Sequence, residues 1–490
     1  MSTHRSERRD DHHRPRFHVR PPTGYVNDPN GPLLDGGTFH LYFQHVLDTP
    51  RVGPVHWGHA TSPDLVSWTL HPHALTPGPG TPDEGGCWSG NTVRVDDRVY
   101  AFYSAFTRGD RFQPVRRAES ADGFVFTDST AMVAPPGPDE EPVQFRDPFV
   151  WHHHGRWCMV VGAGLGGDLA QARLYESTDL SEWTYVGPFA GRPRTDHGTA
   201  DDTGIMWECP QYAPLGEWGV LLVGAWHPDH GIMRVLALAG RDGANALTDP
   251  GPARQADHGP NFYAPSVLRD PTGRILVWGW ATEGRDTAAT IEADWSGMLT
   301  LPRVLTVTEA GEPRWHPPAE LVGLRAERVD RVEGPLSAAH IVDGVPAQFE
   351  LELRLTAPSQ DHPPTRVRLV TADSDTDAEQ PEQLTLVVDW QAGTVVLDRD
   401  AASRDERSHR GTFTMDDAVV STGTDGRSVD LRLLVDGSVG ELFSATGQVL
   451  TTRFYPSGAP PWTLQVDPGG AVDGEVTVWR LRSTVGSTAG

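Results

Sequence analysis

The 490-residue chain contains no lysine: all 41 basic side chains are arginine, set against 66 acidic ones for a formal net charge of −25. A surface with that balance repels nucleic acid and anionic lipid, so neither is expected as a partner. The all-arginine choice carries no functional reading of its own. Cysteine is scarce too. Cys87, Cys158 and Cys209 form an odd set without metal-ligand spacing, which argues against a disulfide framework and against a zinc site. Reduced thiols in a cytoplasmic protein are the expectation, with no metal or other cofactor. No apolar run approaches 18 residues, and residues 1–20 are polar and basic without an apolar core, so neither a membrane span nor a secretory signal is expected. Helical composition is lacking as well. The 52 glycines and 42 prolines supply many turns, yet stay below the roughly 25–30% typical of low-complexity chains. An all-β protein of about two to four domains remains.

A repeat organises the first two thirds of the chain. Short apolar runs at 39–46, 99–106, 157–163, 220–226 and 275–281 recur every 55–63 residues or so. Ahead of each stands a turn-prone cluster: Asn27-Asp28-Pro29-Asn30-Gly31, Trp88-Ser89-Gly90-Asn91, Arg146-Asp147-Pro148, Trp207-Glu208-Cys209-Pro210 and Phe262-Tyr263-Ala264-Pro265. A third register, Ser62-x-Asp64-x-x-x-Trp68, Ser120-x-Asp122-x-x-x-Phe126 and Ser177-x-Asp179-x-x-x-Trp183, keeps the same phase. Five units of four short strands predict a five-bladed β-propeller over residues 19–330, after a polar tail at 1–18. The segment 325–340 reads as polar with few strand signals. Beyond it, alternating runs between turns predict a C-terminal β-sandwich over 331–490, with 373–382 and 399–410 as solvated loops. That second domain shows no chemical cluster and reads as a packing partner.

In a propeller the turns leading into the innermost strands converge, which brings Asp28, Asp147 and Glu208 together from units one, three and four. Two carboxyl groups flanking a bond are the minimum equipment of a glycosidase. The expected division sets Arg146 beside Asp147 to keep it ionised, and the apolar Trp207 beside Glu208 to raise its pKa toward that of an acid. Cys209 reads as a small buried hydrophobe. Trp57 and Trp88 are candidates to stack on a sugar, and His152-His153-His154 reads as a solvated hairpin tip.

These residues resemble glycoside hydrolase family 32, the β-fructofuranosidases that include invertases, sucrose-6-phosphate hydrolases and fructan exo-hydrolases. The resemblance rests on Asn27-Asp28-Pro29-Asn30-Gly31, Arg146-Asp147-Pro148 and Glu208-Cys209. It extends to Tyr42-Phe43-Gln44, Trp57-Gly58-His59-Ala60 and Trp295-Ser296-Gly297, and to Asp436-x-Ser438-x-x-Glu441 and Arg453-Phe454-Tyr455-Pro456 in the second domain. It implies a small sugar as substrate and a retaining mechanism. Asp28 is the implied nucleophile on a fructofuranosyl unit, Glu208 the acid/base, and Asp147 with Arg146 the group that stabilises the transition state. Asn27, Gln44, Trp57 and Ser89 are the implied pocket residues, to which Trp88 is added as the stacking candidate. Tyr25-Val26, Trp88-Ser89-Gly90-Asn91, Gln211 and Asn261 depart from the family pattern, at positions expected on the pocket rim. Rival readings are fructosyl transfer on the same scaffold, an inverting arabinan- or xylan-active propeller, and a non-catalytic carbohydrate-binding propeller. Arg108, Arg111 and Arg116 are weaker candidates to receive a phosphate. The sequence leaves the oligomeric state open.

Overall fold

The computed structural model describes residues 11–107, 113–133, 142–194, 202–243, 245–371, 381–422 and 425–487. Strands dominate. The helical elements among these residues are Thr287–Ala293 and a 3₁₀ turn at Ala319–Leu324. Five antiparallel sheets follow one another along the chain, each starting on a lead strand: Gly24–Asp35, Gly86–Val95, Pro142–His153, Met206–Leu215 and Tyr263–Arg269. The recurring apolar runs lie in the second strands, Thr38–Val46, Arg98–Phe106, Arg156–Leu165, Trp218–His227 and Ile275–Ala281. Each is hydrogen-bonded on both edges. They are buried along most of their length, which is why they read as continuous apolar stretches.

The Ser-x-Asp register marks the turn from third to fourth strand in the first three sheets. Asp64 accepts the backbone N–H groups of Val66 and Ser67 at 2.9 and 2.6 Å, and Asp179 those of Ser181 and Glu182 at 2.8 and 3.2 Å. Such Asx turns let Leu65 and Leu180 adopt left-handed φ values of 64° and 66°. The five lead strands touch in a closed cycle, first to second and onward to the fifth, which returns to the first. Two later segments complete the first sheet: Trp295–Ser296 runs parallel to its lead strand, and Val485–Ser487 runs parallel to its outer strand, Trp68–Leu75.

From Arg325 onward two further sheets enclose one apolar core that includes Phe349, Trp390 and Trp462. Four expectations are corrected here. The segment read as poor in strand signals holds a twelve-residue strand, Arg325–Leu336, paired with Val472–Leu481. The described part of the expected polar tail, residues 11–18, is tied to the fold, because the backbone N–H groups of Arg16, Phe17 and His18 all donate to buried Asp436, at 2.7 to 2.9 Å. Loop 399–410 is anchored by Arg399, which is buried and donates to Asn261 Oδ1 at 2.9 Å. Of the acidic stretch, residues 373–380 lie outside the described residues, and Glu382 is buried, accepting the N–H groups of Ser457 and Gly458.

A buried ionic clamp joins these sheets to the first five. His18 donates to Asp436 and Glu441 at 2.9 and 3.0 Å, while Arg303 bridges Asp257 at 2.7 Å and Glu441 at 2.9 Å. Burial alone disfavours the charge on His18, but the two carboxylates outweigh it and raise its pKa to about 9. The second unit therefore does carry a chemical cluster, and its role is to join.

Candidate active site

All five lead strands are irregular at the turn-prone clusters. Pairing slips between Val26 and Pro29, between Cys87 and Gly90, at Asp147, between Glu208 and Gln211, and between Tyr263 and Ser266. Each slip is a β-bulge, which breaks the strict in-and-out alternation and re-aims a side chain. Asp147, Cys209 and Ala264 sit at these bulges with φ values of 67°, 45° and 47°, conformations that cost a non-glycine residue about 1–3 kcal/mol and persist only where packing enforces them. The bulges direct Asp28, Ser89, Asp147, Glu208 and Tyr263 into one cavity of about 500 Å³.

Inside the cavity Asp28 accepts hydrogen bonds from Ser89 Oγ at 2.5 Å and from Asn27 Nδ2 at 3.1 Å. Asn27 also donates to Gln44 at 2.6 Å, and Gln44 to Ser89, so the four residues form one chain of hydrogen bonds. Asp147 accepts the backbone N–H of Cys209 at 3.0 Å, and its own N–H is held by Ser104 Oγ at 2.7 Å. Cys209 is more than a space-filler: its Sγ lies 3.6 Å from both Asp28 and Asp147. Burial, followed by those carboxylates, pushes the thiol pKa well up, so it stays a protonated donor.

The expected division of charge is overturned. Arg146 turns to Glu208, at 2.6 Å, and stands 3.9 Å from Asp147. Trp207 points into the core with its indole on Thr203 O, away from Glu208. Tyr263, unassigned by sequence, donates to Glu208 Oε2 at 2.8 Å. Burial raises the pKa of Asp28, to about 6, and that of Asp147; the neighbouring Glu208 adds to both shifts, and Arg146 offsets only part of the second.

Of the expected pocket residues, Asn27, Gln44, Trp88, Ser89 and Arg146 line the cavity. Trp57 does not. It is fully buried behind the wall and donates to Trp88 O at 3.1 Å. Trp88 stacks on Phe106, with centroids 4.3 Å apart, and Tyr25 meets Trp280 edge-on in the cavity lining. Gln211 and Asn261 are not on the rim: each is buried and hydrogen-bonds neighbouring backbone. Arg116 is bound to Ser129, whereas Arg108 and Arg111 lie outside the described residues. Sequence reasoning missed Tyr263 and Phe106, although Tyr263 belongs to the fifth phased cluster, which was the available signal. The three cysteines are buried and unpaired, and no helix among the described residues is long and apolar enough to cross a membrane.

Comparison with known proteins places this geometry. The chain is similar to a sucrose-6-phosphate hydrolase of Bacillus subtilis, 36% identical over 61% of this chain and 64% of that protein. It is similar to a raffinose invertase of Escherichia coli, 30% identical over 95% of each. Its fold is similar to that of an exo-inulinase from Aspergillus awamori, with TM-score 0.81 and 23% identity over 97% of this chain and 99% of that one. The Glycosyl hydrolases family 32 N-terminal domain matches residues 18–315 and the family's C-terminal domain matches 323–480. Because the first match spans every residue of the carboxylate cavity, and the second nearly all of the two sheets clamped to it, the chain belongs to glycosyl hydrolases family 32.

Proposed function

We propose that the chain is a retaining β-fructofuranosidase that hydrolyses sucrose-type substrates. The observation that carries this is the convergence of Asp28, Asp147 and Glu208, from three lead strands, on one cavity with a single guanidinium among them. Asp28 is the nucleophile. Its carboxylate is held by Ser89 and Asn27, so it meets the anomeric carbon in a fixed orientation. Glu208, bound by Arg146 and Tyr263, protonates the leaving oxygen and then activates water against the fructosyl-enzyme. Asp147 supplies negative charge beside the ring as the transition state becomes oxocarbenium-like. Trp88, stacked on Phe106, offers an apolar platform for the departing sugar.

The five sheets are proposed to be the blades of a five-bladed propeller, supported by the closed cycle of lead strands. The two sheets from Arg325 onward form the proposed sandwich, and the pairing of Arg325–Leu336 with Val472–Leu481 supports a proposed boundary just before 325 in place of 330. A cytoplasmic location remains our expectation, in keeping with three unpaired thiols.

The test is product analysis with sucrose, sucrose-6-phosphate, 1-kestose and a short arabinan, with NMR of the first-formed anomer. Released fructose with retained configuration is the expected result. Arabinose alone, or inversion, refutes the proposal, as does silence across the panel.

A further inference from the structure

Where the third and fourth sheets meet, away from the carboxylate cavity, the outer rim carries a second cluster. The hairpin from Pro142–His153 to Arg156–Leu165 turns through His154 and Gly155, whose φ values are 47° and 81°. That turn sets the rings of His153 and His154 side by side, with centroids 3.9 Å apart. Across the gap stands Asp242, the last residue of Gly231–Asp242. His153 Nε2 lies 3.1 Å from Asp242 Oδ1 on a side chain only 11% exposed, yet this nitrogen makes no hydrogen bond among the described residues. The hairpin tip expected to be solvated is therefore half withdrawn from water. One donor atom from each of the three side chains falls within 4.8 Å of the others, and no other group of His, Cys, Asp and Glu among the described residues does so.

We propose that His153, His154 and Asp242 bind a divalent transition-metal ion of the zinc class. Four tetrahedral bonds of about 2.0–2.1 Å hold their donor atoms about 3.3 Å apart. The His153–Asp242 separation already meets that spacing, and the exposed His154 closes the remainder by rotating its side chain. Two imidazoles and one carboxylate favour zinc, nickel, copper or cobalt over calcium or magnesium, which take all-oxygen shells. Tyr212 donates its hydroxyl to the same carboxylate oxygen and so fixes the orientation of Asp242. The nearby Arg156 is engaged by Glu176 at 2.9 Å, which blunts its repulsion of a cation. His152 takes no part, since it packs edge-on against Trp157. Asp147 lies six residues back on the same strand, about 20 Å at about 3.3 Å per residue. The ion therefore fastens two sheets at their rim and stays clear of the reacting atoms.

The experiment is calorimetric titration of the untagged, chelator-treated full chain with zinc sulfate, and in parallel with cobalt(II), whose visible bands report four-coordination. One zinc per chain is expected, with tetrahedral cobalt bands and a melting temperature that rises with zinc. Loss of a second-shell partner typically weakens metal binding 10–100-fold, so removing a ligand is expected to cost at least about tenfold. His154→Asn and Asp242→Asn are the variants, the first because asparagine tolerates a left-handed φ; sugar hydrolysis is expected to be unchanged in both. Absence of zinc binding in the unaltered chain overturns the proposal. Equal binding by the unaltered chain and both variants also overturns it, by placing the ion elsewhere, as at His12 and His13.

Discussion

The molecule buries two sets of three carboxyl groups and treats them in opposite ways. In the cavity, Asp28, Asp147 and Glu208 share one guanidinium, that of Arg146, and the pKa values of Asp28 and Asp147 rise. In the clamp, Asp257, Asp436 and Glu441 share two cations, His18 and Arg303. Glu441 is more deeply buried than Asp28 and Asp147, yet Arg303 and then His18 outweigh that burial and lower its pKa. Burial therefore does not decide the charge state; the number of cations does. The clamp is complete as folded. The cavity is short of positive charge, and an oxocarbenium-like transition state brings the charge that is lacking.

The contrast is broken most severely by removing a reacting carboxylate. Asp28→Asn and Glu208→Gln are each expected to lower kcat/KM by on the order of 10⁴-fold or more, the scale set by losing one member of a catalytic unit. The melting temperature of Asp28→Asn should hold or rise, since it relieves repulsion in the cavity, whereas Glu208→Gln also gives up the charge that pairs with Arg146. Steady-state kinetics with thermal unfolding checks this, and a variant that keeps even a tenth of the activity would remove that residue from its assigned role. In the clamp the balance reverses. Arg303→Met leaves buried Asp257 without a cation and Glu441 with His18 as its only one, a change that costs about 3–5 kcal/mol. Urea unfolding measures it, and a loss below about 1 kcal/mol would show that the clamp is not stabilising.

The mildest probe is pH, with opposite signs in the two regions. Attack requires ionised Asp28, so kcat/KM should rise with pH through about 6. His18, raised from 6.5 to about 9 in the fold, contributes its full stability below about 6.5 and loses it as pH rises through about 9. A pH–rate profile and a pH series of urea midpoints separate the two. An acid limb near 4, or midpoints unchanged from pH 6 to 10, would contradict them.

The sequence made the phase of the structure legible but not its pairings. Five clusters at one spacing located Asp28, Asp147 and Glu208, because lead strands repeat and their side chains converge. Arg146 was assigned to its neighbour Asp147, yet the bulge turns it across to Glu208 on another sheet, a contact no local pattern encodes. Trp57 and Trp88 looked alike in sequence, and only packing put the first behind the wall. The strand Arg325–Leu336 escaped notice because half of its side chains are exposed and several are charged: Arg325 pairs with Glu350, and Arg331 with Glu475. It shows no apolar alternation to read. The clamp was hidden for a similar reason, since Asp436 and Glu441 acquire their partners from Phe17-His18 and Arg303, far away in the chain.

The strand Val485–Ser487 covers the outer edge of the first sheet, and this bears on the order of synthesis. Trp68–Leu75 leaves the ribosome about 410 residues before the segment that covers it. At about 5–20 residues per second the delay is roughly 20–80 s. For that interval the nascent chain carries an unpaired strand edge, the kind that recruits other chains. Translation speed and chaperone cover during that window are then expected to bear on the yield of intact protein.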